Sequence, residues 1–189
     1  PVQPENARND YSRRPAFNAD GSQYLIIDSS GYWHVYDART LQRIKTLNGL
    51  AGDAEPEWHA TDPDRLYFLP RFGYGALVHE LTVSTNTYRT IGDLRARLNA
   101  IWAGADRAST GAEGSPSRDG RYWCFMVWRG GSDHPVGLVT WDRDADAILG
   151  SVSFSGATPD AVSMSPSGNY CVSAVAYQRP GLTVFDRKL

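Results

Sequence analysis

Cysteine and methionine are scarce in this 189-residue sequence, with two of each, and no apolar run reaches the roughly 18 residues that a membrane-crossing helix needs. A membrane is therefore not expected as a partner. A basic surplus is missing too. Lys and Arg number 19 against 21 Asp and Glu, for a net charge of −2, so nucleic acid is not expected either. The sequence contains no G-x-G-x-x-G, no G-x-x-x-x-G-K-[ST] and no G-x-S-x-G, which removes the simplest cases for nucleotide binding and serine hydrolysis. Its four histidines (His34, His59, His79, His134) show no H-x-H or H-x-x-x-H spacing, and no C-x-x-C occurs. No metal site is read from them. The first residues, P-V-Q-P-E-N-A-R-N-D, lack the apolar core of a signal peptide and read as a processed or a cytoplasmic N-terminus.

What the sequence does hold is aromatic residues (Trp 6, Tyr 10, Phe 6) and short apolar runs between turn signals. Residues 14–47 read as four strands, at 14–17, 24–27, 33–37 and 42–47. The turn Asn18-Ala19-Asp20-Gly21 separates the first two, and Ala38-Arg39-Thr40 the last two. The same grammar returns from Glu57, with Asp62-Pro63-Asp64 in the turn, from Gly114, with Arg118-Asp119-Gly120, and from Asp160, with Pro166-Ser167-Gly168. Third strands close on matching tripeptides: Val35-Tyr36-Asp37, Thr140-Trp141-Asp142 and Val184-Phe185-Asp186.

A repeat of roughly 40–50 residues with four strands per unit is a propeller-blade period. At the residues just quoted the chain resembles the WD-repeat-like β-propeller family in its broad sense. The resemblance implies an all-β chain, a β-propeller of four-stranded antiparallel blades, about four of them, at 14–47, 57–91, 114–152 and 160–189 after a lead-in at 1–13. Between the second and third units the pattern breaks. Leu94, Leu98, Ile101 and Trp102 recur at helical spacing with Asp93 placed to cap, so an amphipathic helix is expected near 93–102. The last unit lacks an obvious fourth strand. Either the N-terminal segment closes a ring of four, or the chain is part of a propeller of roughly six to eight blades. The second reading is preferred, with a second chain or self-association completing the ring.

Cys124 and Cys171 fall at equivalent places in the second strands of consecutive blades. A disulfide is open to them, but strand cysteines usually act as small hydrophobes, and two buried thiols are the expectation.

In propellers of this strand order, the connections between blades and those between second and third strands emerge at one end, around the channel. Three of the second-to-third connections carry an arginine: Arg71, Arg129 and Arg179. With Arg14, Glu57 and Trp58 they form the candidate ligand-binding set. A guanidinium grips a carboxylate through a two-toothed fork, and an aromatic ring beside it offers an apolar face to a sugar. The expected ligand is thus an anionic carbohydrate, or another small molecule, and the expected compartment extracellular or periplasmic. The chain is similar to propeller-type polysaccharide lyases in architecture and residue types only. That similarity implies an alternative activity, β-elimination next to a uronate carboxylate, with His59, His134 and Tyr74 as the candidate catalytic groups. A plain protein-interaction scaffold is the third reading. No cofactor is expected apart from calcium on Asp142-Arg143-Asp144-Ala145-Asp146, which alternates carboxylates as calcium loops do but lacks the Gly and terminal Glu of an EF-hand.

Overall fold

The computed structural model describes residues 7–8, 14–155, 158–175 and 181–189. The described residues are all-β apart from one short α-helix and a 3-10 turn (Pro70–Gly73), and form four antiparallel sheets. The first holds β1 (Gln23–Ile27), β2 (Trp33–Asp37) and β3 (Arg43–Thr46). β4 (Glu55–Trp58), β5 (Arg65–Leu69), β6 (Leu77–Thr82) and β7 (Thr87–Asp93) make the second. In the third are β8 (Ala105–Ser109), β9 (Tyr122–Arg129), β10 (Gly137–Asp142) and β11 (Ala147–Ser153). The fourth consists of β12 (Ala161–Met164), β13 (Tyr170–Val175) and β14 (Gly181–Asp186). Within each sheet the strands pair in sequence order.

β9 shows how the sequence stacks these sheets. Its run Y-W-C-F-M-V-W-R is apolar throughout because both faces are buried, and a strand turns alternate residues to opposite faces. Trp123, Phe125 and Val127 enter a cluster with Tyr67 and Leu69 of the second sheet. Cys124, Met126 and Trp128 enter another with Val162, Met164 and Cys171 of the fourth. β5 does the same one sheet earlier: Leu66 and Phe68 pack with Leu25, Trp33 and Val35 of the first sheet. No such cluster joins the fourth sheet to the first among the described residues.

The turns behave as their composition dictates. Gly21, Gly120 and Gly168 each have φ near +70° and close a turn by donating to Asn18, Ser117 and Ser165 carbonyls. At Gly120 space adds to the dihedral requirement, since a Cβ there would lie 2.1 Å from the Tyr67 hydroxyl.

Four expectations change. The first strand expected at 14–17 shrinks to a single bridge, Phe17 to Tyr24. The third sheet begins at β8, inside the stretch read as an interruption. Its sequence A-D-R-A-S has no β-branched or aromatic residue to announce a strand, and its buried side chains are the small Ala105, Ala108 and Ser109. The helix, α1 (Arg95–Ile101), has Leu94 rather than Asp93 at its N-cap position. Asp93 ends β7 and instead accepts from the Arg95 amide and guanidinium. Leu94, Leu98 and Trp102 are buried as expected, while Ile101 is exposed.

The fourth change is at the cysteines. Cys124 and Cys171 form a disulfide, not two thiols, with Cα atoms 5.7 Å apart. Face-to-face packing of β9 on β13 brings equivalent positions of neighbouring sheets into register, which strand composition alone does not reveal. The bridge spans a separation of 47 residues, and closing a loop of that length restricts the unfolded chain by about 4 kcal/mol. Replacing both cysteines by alanine should lower the unfolding free energy by about this amount in urea titrations. A loss below about 1 kcal/mol would mean that the bridge constrains the unfolded chain little.

Candidate functional site

Two places concentrate polar chemistry, and they differ in access to water. The first is internal. Arg14, 7% exposed, precedes the first sheet and donates to the Pro56 carbonyl (2.6 Å) and the Thr110 hydroxyl (3.2 Å). Its guanidinium lies 3.8 Å from the Glu55 carboxylate and 3.9 Å from that of Glu57. Ser109 donates to Glu55 and Ser115 to Glu57, both at 2.6 Å. Burial pushes the Glu55 carboxyl above its ordinary value, against the pull of Arg14. The network ties the segment before the first sheet to the second and third sheets, and its burial makes it a structural anchor.

Trp58 also lies inside. It is 3% exposed, sits in the apolar cluster between the first two sheets and donates its indole N–H to the Ala16 carbonyl. Arg14 and Glu57 therefore meet within the packed interior, while Trp58 is buried in the apolar cluster between the first two sheets.

The second place is an open surface where the β5–β6 connection meets β8 and β9. The Arg107 guanidinium lies between two rings, 5.0 Å from the Tyr74 centroid and 4.2 Å from that of Trp128. Its Nε donates to the Phe72 carbonyl at 2.8 Å. Tyr74 and Phe72 are 45% and 47% exposed, whereas Trp128 is buried. Arg71 reaches over the connection, its Nη2 3.3 Å from where a Cβ on Gly75 would stand. Arg129 ends β9 and pairs with Ala105, two residues from Arg107. No ion pair neutralises Arg71, Arg107 or Arg129 among the described residues. Stacking holds a cation flat without cancelling its charge, and each ring contact is worth about 0.5–2 kcal/mol.

Of the residues expected at this end, Tyr74, Arg71 and Arg129 are here. His134 sits on the β9–β10 connection, exposed, its amide and carbonyl bonded to the Ser132 hydroxyl. Arg179 lies outside the described residues. Arg107 was missed because β8, A-D-R-A-S, carries no strand pattern and was not read as a strand.

His59 is elsewhere. β4 rises about 3.3 Å per residue, so four steps carry it roughly 13 Å from Glu55, to the opposite end of the sheet. There its Nδ1 accepts the Thr61 (3.2 Å) and Asp62 (3.0 Å) amides. Burial, aided by Arg65, holds the imidazole below its ordinary value and keeps it neutral. His59 thus closes a turn.

The acidic loop at 142–146 is occupied by guanidiniums. Arg121 bridges Asp142 through both nitrogens (2.9 and 2.7 Å), Asp144 faces Arg143 at 2.9 Å, and Asp146 pairs with Arg97. Asp142 also accepts the Asp144 and Ala145 amides. No cluster of three His, Cys, Asp or Glu suited to a metal occurs among the described residues.

The neutral His59 has a consequence for stability. Unfolded histidine takes up a proton near pH 6.5, which the folded imidazole resists, so stability present above that pH is lost as pH falls below it. Buried His79 acts with the same sign and Glu55 with the opposite one. The melting temperature should fall between pH 7 and 5, and less steeply in His59→Asn, whose side-chain oxygen can accept the same two amides. Equal pH slopes for the two proteins in differential scanning calorimetry would remove His59 as a cause.

No family model matches the sequence, and no curated protein matches it. Solved structures do. TolB from Acinetobacter baumannii superposes with a TM-score of 0.66 at 16% identity, covering 94% of this chain and 41% of that one. An oligogalacturonate lyase in complex with manganese gives 0.63 at 10%, covering 96% and 51%. The oligogalacturonate lyase from Vibrio parahaemolyticus gives 0.61 at 10%, covering 90% and 47%. The chain spans about half the length of these proteins or less. At such identities the likeness is one of fold, and it makes this chain propeller-like, a stack of antiparallel sheets of the kind these proteins share.

Proposed function

We propose that this chain belongs to a β-propeller that binds an anionic carbohydrate at the surface formed by the β5–β6 connection, β8 and β9. The observation that carries the reading is Arg107, a guanidinium over the rings of both Tyr74 and Trp128 with no ion pair among the described residues. Arg71 and Arg129 add charge beside it, and Tyr74 and Phe72 add exposed ring surface. A uronate presents a carboxylate on a ring whose C–H faces are apolar, which is the complement of this surface. Two of the structural relatives are named as lyases of oligogalacturonate, itself a uronate polymer, which fits the ligand class. Supporting an oxidising compartment, periplasmic or extracellular, is the Cys124–Cys171 disulfide. No helix among the described residues is long and apolar enough to cross a membrane.

A lyase reading has one observation in its favour. Tyr74 and His134 sit at the ends of strands that emerge on the arginine side, so a phenol and an imidazole accompany the cations a uronate needs. β-Elimination requires a base at the α-carbon, an acid at the leaving oxygen and a cation at the carboxylate. Binding is the primary proposal because Tyr74 already stacks on Arg107.

A second chain is part of the reading. The middle sheets have four strands, but β14 has no partner on its outer edge among the described residues, and Leu182 and Val184 on it are 72% and 58% exposed. Unpaired edges and bare apolar faces are aggregation-prone in water. Self-association covers them.

Two measurements test these readings. Trigalacturonate should bind in calorimetric titrations and its methyl ester should not, and Arg107→Gln should weaken the acid form about 10- to 100-fold, the worth of a charge-assisted hydrogen bond. Equal binding of acid and ester would remove the anionic reading. Light scattering should give a mass of twice 20.9 kDa, and a monodisperse monomer would exclude completion by a second copy.

A further inference from the structure

We propose that Phe72 is the platform on which the sugar ring stacks, and that it selects a cyclic anion over an acyclic one. This rests on the anionic-carbohydrate reading above. The backbone from Arg71 to Ala76 is unusual. Arg71 (φ 53°), Phe72 (φ 51°) and Gly73 (φ 80°) are all left-handed, and Gly75 and Ala76 are too. Left-handed backbone crowds the Cβ of a non-glycine residue and costs free energy, so it persists only where the surroundings enforce it.

Here they do, from both sides. The Phe72 amide donates to the Asp53 carbonyl at 2.7 Å, and its own carbonyl accepts from Arg107 at 2.8 Å. Gly75 donates to the Asp106 carbonyl at 2.7 Å. Gly73 sits so close to β8 that a Cβ would fall 1.9 Å from the Ala108 carbonyl oxygen. Such a clamped turn has one visible product, which is to hold the Phe72 ring outward.

The ring is only half covered by the rest of the chain. It is 47% exposed, belongs to no apolar cluster and touches no other ring among the described residues. Beside it stand the charges: Arg71 is its neighbour in the chain, and Arg107 is bonded to its carbonyl. An apolar plate fixed next to guanidiniums matches a ligand with a flat C–H face and a carboxylate on the same ring. A chain-like polycarboxylate satisfies the arginines but gains nothing from the plate.

The test compares trigalacturonate with tricarballylate, an acyclic anion, by isothermal titration on the full chain. Phe72→Ala should weaken the sugar about tenfold and leave tricarballylate within about twofold, while Phe72→Trp retains sugar binding. Alanine keeps the backbone groups that Asp53 and Arg107 use. Phe72→Gly, which relieves the left-handed strain, should lose sugar affinity as much as alanine does. If Phe72→Ala changes neither ligand, or both equally, the platform is overturned while anionic-sugar binding stands. If the unaltered chain prefers tricarballylate or binds neither, the carbohydrate reading falls and the platform with it.

Discussion

Every strand here answers to one constraint, that a β-sheet with two apolar faces must be covered on both. Burying a large apolar side chain is worth about 1.5–3 kcal/mol, and the second and third sheets have such side chains on both faces. Tyr67 and Phe68, adjacent in β5, go to different clusters, as do Phe125 and Met126 in β9. Neither sheet is stable without a neighbour on each side, so the sheets come as a stack. The cost appears at its end. The outward face of the fourth sheet, with Tyr170, Leu182 and Val184, is chemically like the faces buried between the inner sheets, but it meets water.

Stacking also decides what polar groups can do. The first strands of the second and third sheets, β4 and β8, carry Glu55, Glu57 and Ser109 into the interior, and a buried carboxylate needs a cation and donors. Arg14, from the segment before the first sheet, and the serine hydroxyls of the third sheet and the loop after β8 supply both. An arginine so placed is committed to holding the stack. The arginines available to a ligand are those on the open surface: Arg71 in the β5–β6 connection, Arg107 within β8 and Arg129 at the end of β9.

This separation explains what could be read from the sequence. The sheet grammar was legible because turns need particular residues: glycine at 21, 120 and 168 takes up a backbone conformation that other residues resist. β9 and β10 were legible from their apolar runs. β8 was not, since a strand of alanines and charges makes no pattern, and with it went Arg107. The ends of the sheets were legible only in outline. His59 was assigned to the arginine end by its position after a loop, yet four residues of strand carry it to the other end. The disulfide could not be fixed either, because pairing depends on the registry between two sheets and neither strand encodes that alone.

Arg107 shows how the open surface differs from the ion-paired charge elsewhere. Several surface arginines face a carboxylate: Arg89 meets Glu80, Arg95 meets Asp93, and Arg121 meets Asp142. Exposed pairs of that kind contribute little stability, but they quench the field of the cation. Rings do not, since a quadrupole orients a guanidinium and leaves its net charge in place. With the Tyr74 and Trp128 rings against it and a carbonyl taking its Nε, Arg107 is positioned by several contacts that leave it no carboxylate partner among the described residues. The clamped turn next to it adds an apolar surface at a fixed position. A cation held in place before an anion arrives lowers the entropy lost when that anion binds.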